Sequence, residues 1–234
     1  NRSFDGKHNI TSQFILSYNE EGGDLMEASE IRSFNYAPSG VARLQDIVTY
    51  SDEDRTQVIE AKHVENLVIL SNGNVKDSEV YIYKTVSDVA SVKAGGDIVP
   101  VELQEYQHIL TSTFDARGNA LHQEIEKTYY RADGTQLGSR DLQKIDNADT
   151  YTVHDRPLDT TIENYEITVD AETGLDVVTF TDIQKIHTDA SDYDRYGNAE
   201  LQTIDTFDDK AMPAASLISH KVITNDYGAE GQMV

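Results

Sequence analysis

Along much of the chain apolar and polar residues alternate with a period of two. Leu121, Ile125 and Tyr129 fall on one side of a segment with Gln123 and Lys127 between them, while His122, Glu124 and Glu126 fall on the other. That is the pattern of a strand with one face to water. Val80-Tyr81-Ile82-Tyr83 and Val177-Val178-Thr179-Phe180 are β-branched and aromatic, as pleated surfaces favour. Thr56–Leu70 can be drawn with an apolar helical face, but its counterpart Arg156–Ile162 contains Pro157 and β-branched residues that disfavour helix. Equivalent segments share a fold, so both are read as strand. Val101–Leu110 can form a short helix. The pattern predicts an all-β chain of tandem β-hairpins in an extended antiparallel sheet, arranged as a solenoid-like or sandwich-like array.

The turns between strands are marked by an aromatic residue followed four positions later by glycine. The spacing occurs at Tyr18/Gly22, Tyr36/Gly40, Phe114/Gly118, Tyr130/Gly134, Tyr193/Gly197 and Tyr227/Gly231. Between the two lies the chemistry of a type I turn closed by a glycine bulge, with Asp or Asn first and a positive φ last. Asn19, Asp115 and Asp194 occupy the first position, and Pro38 sits second in Ala37-Pro38-Ser39-Gly40, where its fixed φ is favoured. Thr206–Ala211 reads as a hairpin that has lost its glycine.

These elements recur in order. Tyr18 to Phe114 is 96 residues, Tyr36 to Tyr130 is 94, Tyr50 to Tyr151 is 101, Glu65 to Glu163 is 98 and Val80 to Val177 is 97. Phe114 to Tyr193 is 79, the shortfall falling where the first unit carries extra sequence. The organisation read from this is a lead-in strand region at 1–17, a first repeat unit at 18–113 with an insertion at about 86–106, a second at 114–192 and a partial third at 193–234. The opening Asn1-Arg2-Ser3-Phe4-Asp5 reads as neither an initiator methionine nor a signal peptide, so a mature product or an internal piece of a longer chain is expected.

Tyr193-Asp194-Arg195-Tyr196-Gly197-Asn198 and Phe114-Asp115-Ala116-Arg117-Gly118-Asn119 resemble the YD repeats of RHS-type bacterial surface and secreted proteins. In that family a Tyr-Asp-x-x-Gly core, often followed by Asn or Arg, recurs on successive hairpins of a long sheet. Tyr18, Tyr36, Tyr130 and Tyr227 keep the aromatic and the glycine alone. Family repeats recur about every twenty residues, whereas here they come in doublets 16 or 18 apart within a longer unit. The resemblance implies a bacterial envelope or extracellular setting and a structural, adhesive or encapsulating role. It implies no catalytic residues in this segment.

Charge and composition narrow the partners. Lys and Arg number 19 against 42 Asp and Glu, a formal charge of -23. Such a surface repels phosphate backbones and anionic lipid, which argues against nucleic acid and membrane partners. No run of apolar residues reaches the roughly 18 a spanning helix needs, so membrane insertion is not expected. Cysteine is absent, which removes disulfides and thiolate chemistry. Hydrophobic residues make up 38% and tryptophan is absent, yet there are 13 tyrosines, a composition suited to thin, half-exposed sheets.

Candidate chemistry is sparse. Asp170, Glu172 and Asp176 place carboxylates around the Gly174 turn, and Asp189, Asp192 and Asp194 precede another, so calcium is the one cofactor considered. The competing explanation, Asp as a turn former, is weighted more heavily. The histidines at 8, 63, 108, 122, 154, 187 and 220 show no zinc-ligand spacing, and no nucleophile elbow or phosphate-binding glycine loop occurs. No catalytic or cofactor-binding residue is assigned. The expectation is a non-enzymatic structural protein, extracellular or on the cell surface, whose partners are copies of itself, other envelope components or glycans. A carbohydrate-binding module and a polysaccharide-active β enzyme are the alternatives.

Overall fold

Alternation turns into strand almost everywhere. In the computed structural model, which describes residues 2–18, 23–148 and 150–226, the strands are β1 Arg2–Phe4, β2 Ile10–Tyr18, β3 Leu25–Tyr36, β4 Ala42–Tyr50, β5 Val58–Ile69, β6 Val75–Val86 and β7 Pro100–Phe114. They continue as β8 Ala120–Tyr130, β9 Gln136–Asp146, β10 Asp159–Val169, β11 Asp176–His187, β12 Leu201–Phe207 and β13 Leu217–Thr224. All thirteen lie in one antiparallel sheet in chain order. Every strand therefore pairs with its sequence neighbours, the topology that short tight turns enforce. The sheet is not closed: among the described residues β1 and β13 each have one strand neighbour.

Within Thr56–Leu70 the strand β5, Val58–Ile69, forms as expected; of Arg156–Ile162 only Asp159–Ile162 is strand, in β10, because Arg156 closes the turn that starts at Thr152 and Pro157 makes only an isolated bridge to Tyr151. Val101–Leu110 does not form a helix; it lies within β7. Sheet pairing along its length outweighs its helical propensity, which is a weak preference. Among the described residues the one α-helix, α1, is Val89–Lys93 in the connection before β7. Asp88 caps it by accepting from the Ser91 amide at 2.9 Å, and Gly95 follows it at φ +90.

The chain divides into two compact units, one of Asn1–Ile109 with Lys127–Leu137 and one of Leu110–Glu126 with Gly138–Val234. The first has a small core. Ala28, Val48, Tyr50 and Ala61 point to one face of the sheet and are buried under Val92 of α1, with Val86, Phe14 and Tyr83 packed around them. In the second unit the buried apolar residues are few, Ile167 and Ile183 among them, while Thr111, Asn147 and Thr188 are buried polar groups. Its stability therefore rests on cross-strand pairs and side-chain hydrogen bonds more than on a thick core.

The predicted turns form where they fall on described residues. Gly40, Gly118, Gly134 and Gly197 have φ of +84, +98, +81 and +84. Gly22, Tyr227 and Gly231 lie outside the described residues; Tyr18 ends β2. Each turn is closed twice: the first turn residue donates its amide to the fifth and accepts from the fourth, as in Asp115 N to Asn119 O at 2.9 Å and Gly118 N to Asp115 O at 3.2 Å. The turn after Tyr193 does not join two long strands. It is a small corner inside the connection between β11 and β12, closed by an isolated bridge from Tyr193 to Ala199.

Among the described residues seven turns share this double closure, three more than the glycine signal finds there. In Asp5–Asn9 the fourth position is His8 at φ +66, in Thr152–Arg156 it is Asp155 at φ +59, and in Leu70–Asn74 it is Gly73 behind the aliphatic Ile69. Phe4 and Tyr151 lead the first two of these as Phe114 leads its own.

Candidate assembly edges and the turn network

Aspartate at the first turn position holds the loop with one carboxylate. Asp115 accepts the amides of Arg117 and Asn119, both at 2.8 Å, and the Asn119 side-chain amide at 3.0 Å. Asp194 does the same with Tyr196 and Asn198, and Asp5 with Lys7 and Asn9. The Asn that follows the turn is thus part of it. In Asp5 the hydrogen bond from the Asn9 side chain holds the carboxyl below its ordinary value. For Asp115 and Asp194 partial desolvation pushes upward, and the bonds from Asn119 and Asn198 outweigh it.

Within the second unit the turns are tied to one another. Arg117 donates to the Thr152 carbonyl at 2.7 Å and pairs with Asp155 at 3.0 Å, and Arg156 donates to the Gly197 carbonyl at 3.0 Å. The tyrosine before a turn reaches the previous one: Tyr151 donates to the Ala120 carbonyl at 2.6 Å and Tyr193 to the Pro157 carbonyl at 2.7 Å. In the first unit Tyr36 donates in the same way to the Ile10 carbonyl.

Two further bonds recur at matching positions. Gln45, Gln123 and Gln202 donate to the hydroxyls of Ser33, Thr111 and Thr188 at 3.1, 3.0 and 3.2 Å. Asn66, Asn147 and Asn225 donate to the carbonyls of Ala42, Ala120 and Ala199 at 2.8, 2.8 and 2.9 Å. The three alanines are 78 and 79 residues apart, as are Tyr36, Phe114 and Tyr193. This spacing is shorter than the offsets of 94 to 101 read from the sequence, and it groups Tyr36, not Tyr18, with Phe114.

The calcium candidates are not brought together. Asp170 accepts from the Thr173 amide and hydroxyl, both at 2.7 Å, bonds that lower its carboxyl. Asp176 pairs with Arg140 at 2.6 Å, Asp194 closes its own turn, and Asp192 lies in a single 3-10 turn that follows Asp189. Glu172 is exposed at the tip of the Asp170 turn. Among the described residues no group of three His, Asp or Glu is placed to hold a metal ion.

Histidine pairs across strands in a way the sequence does not announce. His63, His108, His122, His187 and His220 lie 2.6, 3.0, 3.1, 2.8 and 2.5 Å from Asp46, Asp77, Asp146, Asp159 and Asp205. On the face that α1 covers at one end, Tyr81 meets His63 and Tyr106 in ring contacts. In the second unit Tyr165 meets Phe180 edge to face, with Lys210 over both rings. These are the cross-strand pairs expected of sheet tyrosines.

One buried ionic cluster lies under α1. Glu30 is 7% exposed in its side chain and pairs with Arg32 at 2.7 Å and Arg55 at 3.0 Å. Arg32 also donates to the Val92 carbonyl at 3.1 Å and to that of Gly96, so it pins the helical connection to the sheet. Beside it the buried Tyr50 hydroxyl has no hydrogen-bond partner, and burial followed by the Glu30 charge pushes it up to about 12. A groove of about 900 Å³ runs between the turns at 5–9 and 37–41; Asp5 and Lys7 are its charged residues.

Among the described residues the outer edges of β2 beyond Gln13 and of β13 have no partner strand. β1 covers Ile10–Gln13 of β2 and stops there, so Ile15–Tyr18 pair with β3 alone among the described strands. Ile15, Leu16 and Tyr18 are 41, 37 and 40% exposed. At the other margin Leu217, Ile218, Val222 and Ile223 of β13 are exposed large apolar residues. Unpaired margins with apolar side chains are templates for strand addition. Compared with known proteins, the chain matches no family model and no curated protein. The likeness to YD repeats rests on the turns alone.

Proposed function

We propose that this chain is a structural repeat segment of an extracellular or cell-surface protein, built to extend a sheet and to associate with copies of itself or with other envelope components. A fibre, a sheath or an adhesive stalk would use it in this way. The observation that carries the reading is the recurrence along the thirteen-stranded sheet of one asparagine-to-alanine hydrogen bond, whose acceptors Ala42, Ala120 and Ala199 step by 78 and 79 residues and whose donors Asn66, Asn147 and Asn225 step by 81 and 78. Repetition of a scaffold bond in place of a single unique site is what an array needs. The tyrosines that a glycan-binding face would expose at Tyr81, Tyr106 and Tyr165 are engaged in ring pairs, which supports the structural reading over the carbohydrate-binding one. The charge of -23 supports an exposed, solvated role.

Antibody against the purified chain tests this on source cells, intact and lysed. Labelling of intact cells or of shed material, in continuous patches by electron microscopy, is the expected result. Label confined to the interior of lysed cells would overturn it.

A further inference from the structure

We propose that Tyr81 and Tyr106 form an oxidative cross-linking site, at which a one-electron oxidant joins the two rings through their ortho carbons and staples β6 to β7. Such a site goes beyond the structural role above and rests on it only for the extracellular setting, where oxidising conditions are met.

The two rings stand on neighbouring strands with centroids 5.1 Å apart and planes tilted by 49°. Their hydroxyls converge on one carboxylate: Tyr81 donates to Glu79 Oε2 at 2.7 Å and Tyr106 to Glu79 Oε1 at 2.9 Å. An ortho carbon is bonded directly to the carbon that bears the hydroxyl. Two hydroxyls held on one carboxylate therefore bring the ortho positions of the two rings together. Both side chains are half-buried, so neighbours hold the rings while a small oxidant still reaches them. The His63 ring stands 6.1 Å from that of Tyr81 and is itself fixed by Asp46 at 2.6 Å and Glu65 at 3.2 Å. Next to Tyr106 along β7, His108 lies 3.0 Å from Asp77 and ties the same two strands.

Glu79 suits the chemistry as well as the placement. Its hydrogen bond, followed by burial, holds the Tyr81 phenol above its ordinary value, so the neutral phenol is the species oxidised. A neutral phenol gives up an electron readily when its proton leaves in the same step, and a carboxylate already bonded to the hydroxyl is the base that takes it. Each ring thus loses one electron to the oxidant and one proton, through Glu79, to water. The two phenoxyl radicals share their unpaired electrons in one carbon–carbon bond, and the hydrogen on each joined carbon moves to its ring oxygen. With hydrogen peroxide as terminal oxidant, two phenols and one peroxide give one biphenol and two waters. The chain has neither cysteine nor tryptophan to receive the oxidation, so the radical stays on tyrosine.

The staple supplies what the composition withholds. Without cysteine the chain has no disulfide to restrain its unfolded state. Tyr106 follows Tyr81 by 25 positions, and α1 lies between them, so the new bond closes a loop that contains the helical connection.

The full chain, dilute enough that copies seldom collide, is oxidised with a peroxidase and hydrogen peroxide. The monomer should gain dityrosine fluorescence, lose the mass of two hydrogens and yield on digestion a cross-linked peptide joining Tyr81 to Tyr106. Its Tm should rise by roughly 5–10 °C, as for a disulfide closing a loop of this length. Tyr81→Phe and Tyr106→Phe should keep the circular dichroism of the parent and abolish the cross-link in the monomer. Tyr196→Phe, at a ring 46% exposed, should leave it unchanged. Glu79→Gln keeps an acceptor of the same shape but a poor base, and should slow cross-linking by about tenfold or more. A cross-link that maps to other tyrosines, that forms only between copies, or that persists in Tyr106→Phe would overturn the site. An unslowed Glu79→Gln would overturn the part given to the carboxylate. Surface labelling of cells alongside any of those results would leave the structural role standing and remove only the staple.

Discussion

The side-chain amide of Asn147 donates to the carbonyl of Ala120 at 2.8 Å, across the connection that leads from β9 to β10. The same side chain accepts from the Thr160 hydroxyl at 2.8 Å, and the Asn147 amide donates to Leu121 at 2.9 Å. With the residue 9% exposed, water is poorly placed to replace these partners. Asn147→Ala should therefore cost about 1–3 kcal/mol, the range for leaving buried polar groups unsatisfied. Thermal denaturation checks it. A drop no larger than that of an exposed control such as Lys185→Ala would show the bond to be ornamental.

Two glycines with open space around them separate turn geometry from strand propensity. Gly134 closes the turn between β8 and β9 at φ +81, and nothing lies within 4 Å of where a Cβ would stand. Gly134→Ala should cost about 1–2 kcal/mol from the left-handed backbone alone. Gly138, inside β9, also has nothing within 4 Å and has no positive φ. Gly138→Ala should stabilise by up to about 1 kcal/mol, because glycine weakens a strand interior. Urea titration of the two variants should give shifts of opposite sign.

Much of the fold is legible in the sequence because hairpins are local. The Tyr-x-x-x-Gly spacing at Tyr36 and Tyr130 places two turns, and alternation at Leu121–Tyr129 places a strand. The left-handed position is not legible where His8 and Asp155 fill it, since glycine is the residue that announces a positive φ. The shorter spacing is hidden in the sequence for a related reason: Tyr18, Tyr36 and Tyr130 look alike, while the groups whose bonds recur are Gln45, Gln123 and Gln202 and the asparagines at 66, 147 and 225. These are polar residues whose meaning lies in a partner 12 to 27 positions away. The aspartate–histidine pairs were illegible for the same reason, and the open margins become visible only when register is known.

Two of those pairs, at His63 and His187, make stability depend on pH near neutrality. Burial opposes the charged form of His63, but Asp46 at 2.6 Å and Glu65 at 3.2 Å outweigh it, so its folded value is raised; Tyr81, its neighbour on β6, is neutral near pH 7. His187 is raised by Asp159, with Asp189 also nearby. A raised folded value means that the stabilisation is present in full below the ordinary histidine value of about 6.5 and is lost as pH climbs through the folded value. Deprotonation also adds to the net negative charge, which acts in the same direction. Tm should fall by roughly 2–4 °C between pH 6 and pH 8. In His63→Gln the slope should flatten; a variant that keeps the parent slope would remove His63 from the account.

The cluster beneath α1 sets two substitutions against each other. Glu30 is the shared partner of Arg32 and Arg55, and Arg32 in turn holds the carbonyls of Val92 and Gly96. Glu30→Gln would leave two poorly solvated guanidinium groups facing a neutral amide, which should cost about 3 kcal/mol by the measure of other broken buried pairs. The loss should be felt first in the connection that Arg32 pins, so the amides of Val92, Ala94 and Gly95 should exchange faster than those of β4. Tyr50 behaves in the reverse sense. Its hydroxyl is buried without a partner, so Tyr50→Phe removes a desolvated group and should stabilise by about 1 kcal/mol while leaving exchange in α1 unchanged. If Tyr50→Phe instead destabilised the chain and loosened α1, the hydroxyl would be contributing to the cluster, and Glu30 would not be its sole anchor.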